Sequence, residues 1–193
     1  MQPTFTDMVP PVPTRNGGFR GISQRSLLIG GGLLVAIIAG FILLMLTNNA
    51  SLKDPLQRLT VRLETLQKIT SDSQGALTNP DLQKINSDTS ILATGSLSEL
   101  AKPMDAAGRG SISDDNRALE ADTATLEALA NAQLEGRYDE VYARAVEQKI
   151  DTILALLSEI YNKTNNRQLK AALNTPYNNF MSIKKDFDSL SNQ

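Results

Sequence analysis

The sequence predicts an all-α protein: a single N-terminal transmembrane helix followed by an antiparallel bundle of four or five helices. Three observations carry that expectation. Leu27 to Leu46 is an unbroken run of twenty apolar residues. Beyond it, Leu56, Leu59, Leu63 and Leu66 recur at alternating threes and fours, the spacing of one buried helix face. Helix-starting pairs such as Asp54-Pro55 and Asn79-Pro80 punctuate the rest, and no segment alternates as a half-buried strand would.

The apolar run comes first because it limits everything else. At a rise of about 1.5 Å per residue it is roughly 30 Å long, the hydrocarbon thickness of a bilayer. A soluble core helix needs a polar face, and this run has none. A cleaved export signal has a shorter apolar region and a small-x-small cleavage site. Here Asn48 stands where a small residue is wanted before Ala50. The expected organisation is therefore a Pro- and Gly-rich cytoplasmic tail over 1–24, a membrane span over 25–47, a hinge over 48–53 and a bundle over 54–191. The lipid bilayer is the first expected partner. Arg25 lies almost at the membrane boundary, whereas the basic residues beyond the run begin only at Lys53. That bias favours the N-terminus inside and the bundle outside the membrane. Gly32, Ala36 and Gly40 share one face at four-residue spacing, a pattern that would let two membrane helices approach closely and self-associate, although the general abundance of Gly in membrane helices is the first account of it. In the tail, "VPPVP" could adopt polyproline II, but the spacer reading is favoured because such short Pro clusters mostly act as linkers.

In the bundle, Asp54 reads as an N-cap before Pro55, with Gln57 as its capping-box partner, and the leucine seam runs on to Ile69. That helix stops near Gly75. Asn79 caps a second helix with inner face Leu82, Ile85, Thr89, Leu92, Leu97 and Leu100. "PMDAAGRGSI", from Pro103 to Ile112, reads as an interior loop. Its Asp105 and Gly110 mimic two positions of a calcium loop, but Ala107, Arg109 and Asn116 stand where oxygen ligands are required. Ser113, with Asp114 and Asp115, caps a third helix that buries Leu119, Leu126, Leu129 and Leu134 beside Thr123 and Ala130. After Gly136 a fourth helix presents Val141, Tyr142, Ala145, Ile150, Ile153, Leu154, Leu157, Ile160 and Tyr161, the widest apolar face. Asn166 caps the last helix, whose stripe is Leu169, Leu173, Phe180, Ile183, Phe187 and Leu190. Pro176 either kinks that helix or marks a restart at Thr175, and the unbroken phase of the stripe favours the kink.

Composition narrows the chemistry. The chain has neither Cys nor His, which removes thiolate nucleophiles, zinc–thiolate sites and the commonest general base. Sixteen basic and twenty acidic residues follow the apolar run, a balance that does not invite nucleic acid. Glu64, Glu127, Glu147 and Glu159 fall mostly off the apolar stripes and read as solvated. Neither a nucleophile motif nor a phosphate loop is present. No catalytic, cofactor-binding or metal residue is expected. Asn49-Ala50-Ser51 and Asn162-Lys163-Thr164 match the glycosylation sequon, which is common by chance.

Residues 136–187, "GRYDEVYARAVEQKIDTILALLSEIYNKTNNRQLKAALNTPYNNFMSIKKDF", resemble the C-terminal hairpin of ferritin-like, export-associated bacterial four-helix bundles of unknown function. In those a His-bearing helix is followed by a short polar turn, then "LK" and a helix containing proline. Gln148 stands about where the His would be, and neither Met181 nor its neighbours supply a second. The resemblance implies a ferritin-like bundle outside the cytoplasm, at a bacterial plasma membrane, and the missing His positions argue against a metal role. The expected function is a non-catalytic, membrane-tethered module that binds another envelope protein or itself. The alternative is an extracytoplasmic small-ligand sensor working through a separate transducer.

Overall fold

The computed structural model describes residues 52–191, and among these the chain is helical with no strand. Helix α1 occupies residues 52–73. Leu52, Leu56, Leu59, Leu63, Leu66 and Ile69 form its buried seam, none more than 3% exposed. The helix is already running at Leu52, so Asp54 is not its cap, and residues 52 and 53 of the expected hinge are helical. The physical reason is Leu52 itself. It stands one turn before Leu56 on the same face, and extending the helix buries it.

Helix α2 spans Pro80–Ala106, with the Asn79 carbonyl oxygen of the side chain accepting from the amides of Asp81 and Leu82. Its buried face includes Leu82, Ile85, Asn86, Thr89, Ala93, Ser96, Leu100 and Met104. Leu92 and Leu97, expected on that face, instead flank it half-buried. Small Ala93 and Ser96 sit at the point of contact and leave the larger leucines to straddle it. The expected loop at Pro103 also starts later. Pro103 is buried inside α2, and the helix ends only at Ala106. Gly108, at φ +93°, supplies the left-handed residue that stops it. Its amide bonds the Asp105 carbonyl and that of Arg109 the Met104 carbonyl, both at 3.0 Å, which closes a Schellman turn.

The expected third helix is broken in two. α3 spans Asp114–Glu120, capped as expected by the Ser113 hydroxyl, and α4 spans Thr123–Leu134. Between them Asp122 adopts the left-handed conformation at φ +53°. One such residue resets the helical phase, so the face read as continuous is not continuous. Leu129 is buried and Leu126 half-buried, but Leu119 is 70% and Leu134 87% exposed. Thr123 and Ala130 are exposed as well. A second Schellman turn ends α4, with Gly136 at φ +71° and the Arg137 amide 2.9 Å from the Ala132 carbonyl.

Helix α5 spans Tyr138–Lys163 and α6 spans Arg167–Ser191. Tyr142, Ile150, Ile153, Leu154, Leu157 and Ile160 are buried as expected; Val146 and Leu156 join them. Val141 is half-buried and Tyr161 39% exposed. Leu169, Leu173, Phe180, Ile183 and Phe187 form the buried stripe of α6. The helix runs unbroken through Pro176, so Thr175 does not start a new one.

Contacts between elements give the topology. Asp139, in the first turn of α5, accepts from the Thr78 and Asn79 amides just before α2, and Tyr142 bonds Asn86. Those helices therefore start at the same end and run in parallel. α6 returns against α5 across the short 164–166 turn and packs on α2. α1 meets α5 head to tail, through Ser73 with Tyr138 and Arg62 with the Thr152 carbonyl. α1, α2, α6 and α5 thus surround the core as antiparallel neighbours, and α3–α4 is the crossover that carries the chain back along the bundle. Among the described residues no helix is long and apolar enough to cross a membrane. The expected span over 25–47 lies outside them.

Candidate functional site

Two polar clusters anchor the crossover. Gln57, expected as a local capping partner, is instead buried at 2% exposure and makes four long-range hydrogen bonds. Its amide nitrogen donates to the carbonyls of Arg109 and Ser111, at 3.0 and 2.6 Å. Its oxygen accepts from the Ser113 amide and from the Asn116 side chain, at 3.2 and 2.9 Å. A primary amide is uncharged and can donate two hydrogen bonds while its oxygen accepts two. The second cluster centres on Glu120, whose side chain is 9% exposed between Arg58 and Arg62. Arg58 donates at 2.7 Å and Arg62 at 2.6 Å, while Thr65 donates to the Glu120 carbonyl. Burial pushes the Glu120 carboxyl upward, but the two guanidinium hydrogen bonds outweigh it and hold the group below its ordinary range.

Sequence reasoning missed both clusters. A signal for the second was present, because Arg58 and Arg62 stand one turn apart beside the leucine seam. Both clusters are fully engaged in holding α3 and its preceding loop on α1. They are structural locks.

The expected positions fall as follows. Gly32, Ala36 and Gly40 lie outside the described residues. In the loop that resembles part of a calcium site, Asp105 pairs with Arg109 at 2.8 Å, and Arg109 also reaches Thr60. Glu64, Glu127 and Glu159 are at least partly exposed, and Glu159 pairs with Lys163. Gln148 is exposed on α5 and Met181 half-buried on α6. Asn162 of the second sequon is exposed.

A concave surface that sequence reasoning did not single out lies between α2 and α6. It is a groove of about 450 Å³, within the range of small-molecule sites. Asp88, Ile91, Leu92, Gly95, Ser96 and Glu99 line it from α2, facing Asn179, Ser182, Ile183 and Asp186 of α6. Ile91 is 69% exposed at its edge. Gly95 opens its middle, since a methyl group placed there would meet nothing within 4 Å. Ser96 is 2% exposed, and its hydroxyl has no hydrogen-bond partner among the described residues. No family model, curated protein or solved structure matches this chain, and the functional reading therefore rests on the site.

Proposed function

We propose that this protein is a non-catalytic, membrane-tethered helical module that holds a binding partner at the cell envelope, with the α2–α6 groove as its recognition surface. The observation that carries the reading is the contrast between the two sides of the bundle. The polar groups that lock α3 to α1 satisfy one another, whereas the groove combines an exposed Ile91, an open Gly95 and an unpartnered Ser96 hydroxyl. An exposed apolar edge beside unmet polar groups is what a binding surface presents before it is occupied. The apolar run over 27–46 supports the tether, and Gly32, Ala36 and Gly40 would pair two copies within the bilayer. The single long crossover is the connection used by ferritin-like bundles, which supports the resemblance read from residues 136–187.

The groove volume also favours the second reading, a small-ligand sensor acting through a separate transducer. Both readings place recognition at the same surface. Site-specific photocrosslinking in the native membrane tests them together. A crosslinker at position 91 should capture one defined neighbour, and the Gly95→Leu substitution should abolish that capture. The same crosslinker at exposed Leu134 serves as the reference. If positions 91 and 134 label the same background set, the groove is not the recognition surface.

A further inference from the structure

Residues 160–185 contain five Lys and Arg and no Asp or Glu, in a chain where acidic residues outnumber basic ones 21 to 19. They cover the last turn of α5, the short turn after it and most of α6. On the outer seam between these helices, Leu157, Ser158 and Tyr161 face Leu173, Asn174 and Tyr177 across a largely apolar notch of about 180 Å³. Tyr161 is 39% and Tyr177 38% exposed. The Lys170 ammonium lies over the Tyr161 ring, 5.0 Å from its centre. Neither Lys170 nor Arg167 has an ion-pair partner among the described residues. Half-exposed tyrosines beside long, unpaired basic side chains are the residues that settle at a membrane–water interface.

The connection to the apolar run falls at the same end of the bundle. α1 neighbours α5 and runs against it, with Arg62 bonded to the Thr152 carbonyl. Leu52 is ten residues before Arg62 and Asn162 ten after Thr152, so the start of α1 stands level with the end of α5. The apolar run ends at Leu46, and the six steps from there to Leu52 reach about 21 Å when fully extended. With that run in the bilayer, this end of the bundle is held beside the lipid headgroups. At the opposite end Arg137 and Arg144 are neutralised by Glu135 and Glu140, and Asp81 and Asp139 add negative charge.

We infer that the bundle leans onto an anionic phospholipid surface along its α5–α6 edge, with Tyr161 and Tyr177 seated among the headgroups and Arg167 and Lys170 paired with lipid phosphates. Tyr177 lies ten residues along α6 from Arg167, about 15 Å up the side of the bundle. An upright bundle would leave it in water, so the edge and not the tip makes the contact. The acid-free stretch is what permits this approach, since the acidic residues elsewhere are repelled by the same lipids. The inference rests on reading residues 27–46 as a bilayer span. Its surface is separate from the α2–α6 groove, with which the notch shares no lining residue.

The chain has no Cys, so a single Ser158→Cys substitution carries one environment-sensitive fluorophore in the notch. Leu134→Cys, at an 87% exposed position shortly before α5 starts, is the water-facing reference. The full chain is reconstituted into phosphatidylcholine vesicles with or without phosphatidylglycerol, and the vesicles are recovered by flotation. The fluorophore at 158 should shift to apolar emission and meet a lipid-borne quencher when phosphatidylglycerol is present, and added salt should reverse both. The one at 134 should stay in water throughout. Arg167→Gln and Lys170→Gln should each lower the docked-to-free ratio roughly fivefold, the worth of one basic residue near an anionic surface. Tyr177→Ser should lower it with no change of charge. Unchanged circular dichroism separates lost docking from a lost fold, and the two charge variants decide if Tyr177→Ser weakens the bundle. A fluorophore at 158 that stays as wet as one at 134 in floated vesicles overturns the docking and leaves the span intact. A chain that does not float removes the span and the docking with it. Shielding that follows protein density and not lipid charge assigns the notch to a second copy and overturns the lipid contact.

Discussion

Gln57 shows how one side chain can decide where a whole segment lies. The loop from residue 107 to 113 has no helix or sheet to satisfy its backbone, and Gln57 supplies two donors and accepts twice in return. Gln57→Ala strands the Arg109 and Ser111 carbonyls together with the Ser113 backbone amide and the Asn116 side-chain amide. Each unpaired buried group costs about 1–3 kcal/mol, so a total loss of about 3 kcal/mol is expected once water has satisfied part of the gap. Gln57→Glu should cost more, because a carboxylate there faces two carbonyl oxygens and has no proton to give. Urea unfolding of the full chain in detergent, followed by circular dichroism, measures both. A loss below 1 kcal/mol for Gln57→Ala would show that the loop is held by other contacts.

At the scale of elements, helix ends were legible in the sequence only where a local cap forms them, at Asn79, Ser113 and Asn166, and were misplaced at Asp54 and Pro103. Asn79 and Asn166 each accept from the amides two and three residues on, and each precedes a fully buried leucine, Leu82 or Leu169. Capping is local chemistry, so three or four residues suffice to read it. Asn79→Ala and Asn166→Ala should therefore each cost about 1 kcal/mol, additively, since the two caps serve different helices. A double variant that loses far less than the sum in thermal unfolding would contradict independent caps. The faces of α1, α5 and α6 were readable for the same reason, one unbroken period of 3.6. The face of α3–α4 was not, because a single left-handed Asp122 shifts the phase and turns Leu119 and Leu134 outward. Nothing in the residue type Asp demands that conformation. Its carboxylate accepts from the Thr125 hydroxyl within α4 and pairs with Lys149 of α5, a partner that the local sequence does not reveal. Gln57 and Glu120 escaped for a related reason, since their partners lie more than fifty residues away in the chain. The α2–α6 groove exists only once two helices far apart in sequence are set side by side, although Gly95 and Ser96 marked a thin point in α2.

For the molecule as a whole, two carboxylates tie distant elements together, and both make stability depend on acid. Glu120 joins α3 to α1. Asp139 joins the start of α5 to the residues before α2, through the Thr78 amide and hydroxyl and the Asn79 amide. Burial raises the Asp139 carboxyl, but these three donors outweigh it and hold it below its ordinary value of 3.8. Glu120 is held below 4.5 by Arg62 and Arg58 against the same opposing effect of burial. A carboxyl with a depressed native pKa stabilises the fold wherever the unfolded chain is also ionised. As pH falls, the unfolded chain takes up the proton first, and the contribution shrinks until the native group protonates too. Stability should therefore be flat with respect to these groups above about pH 6 and fall progressively below about pH 5, where unfolded carboxyls begin to titrate. The double variant Glu120→Gln/Asp139→Asn should start lower at pH 7 and decline less steeply in acid, because its amides carry no proton linkage. The midpoint of urea unfolding, measured from pH 7 to pH 3 for both proteins, gives the two slopes directly. Parallel slopes would mean that the acid response originates in other carboxylates and that these two ties are geometric only.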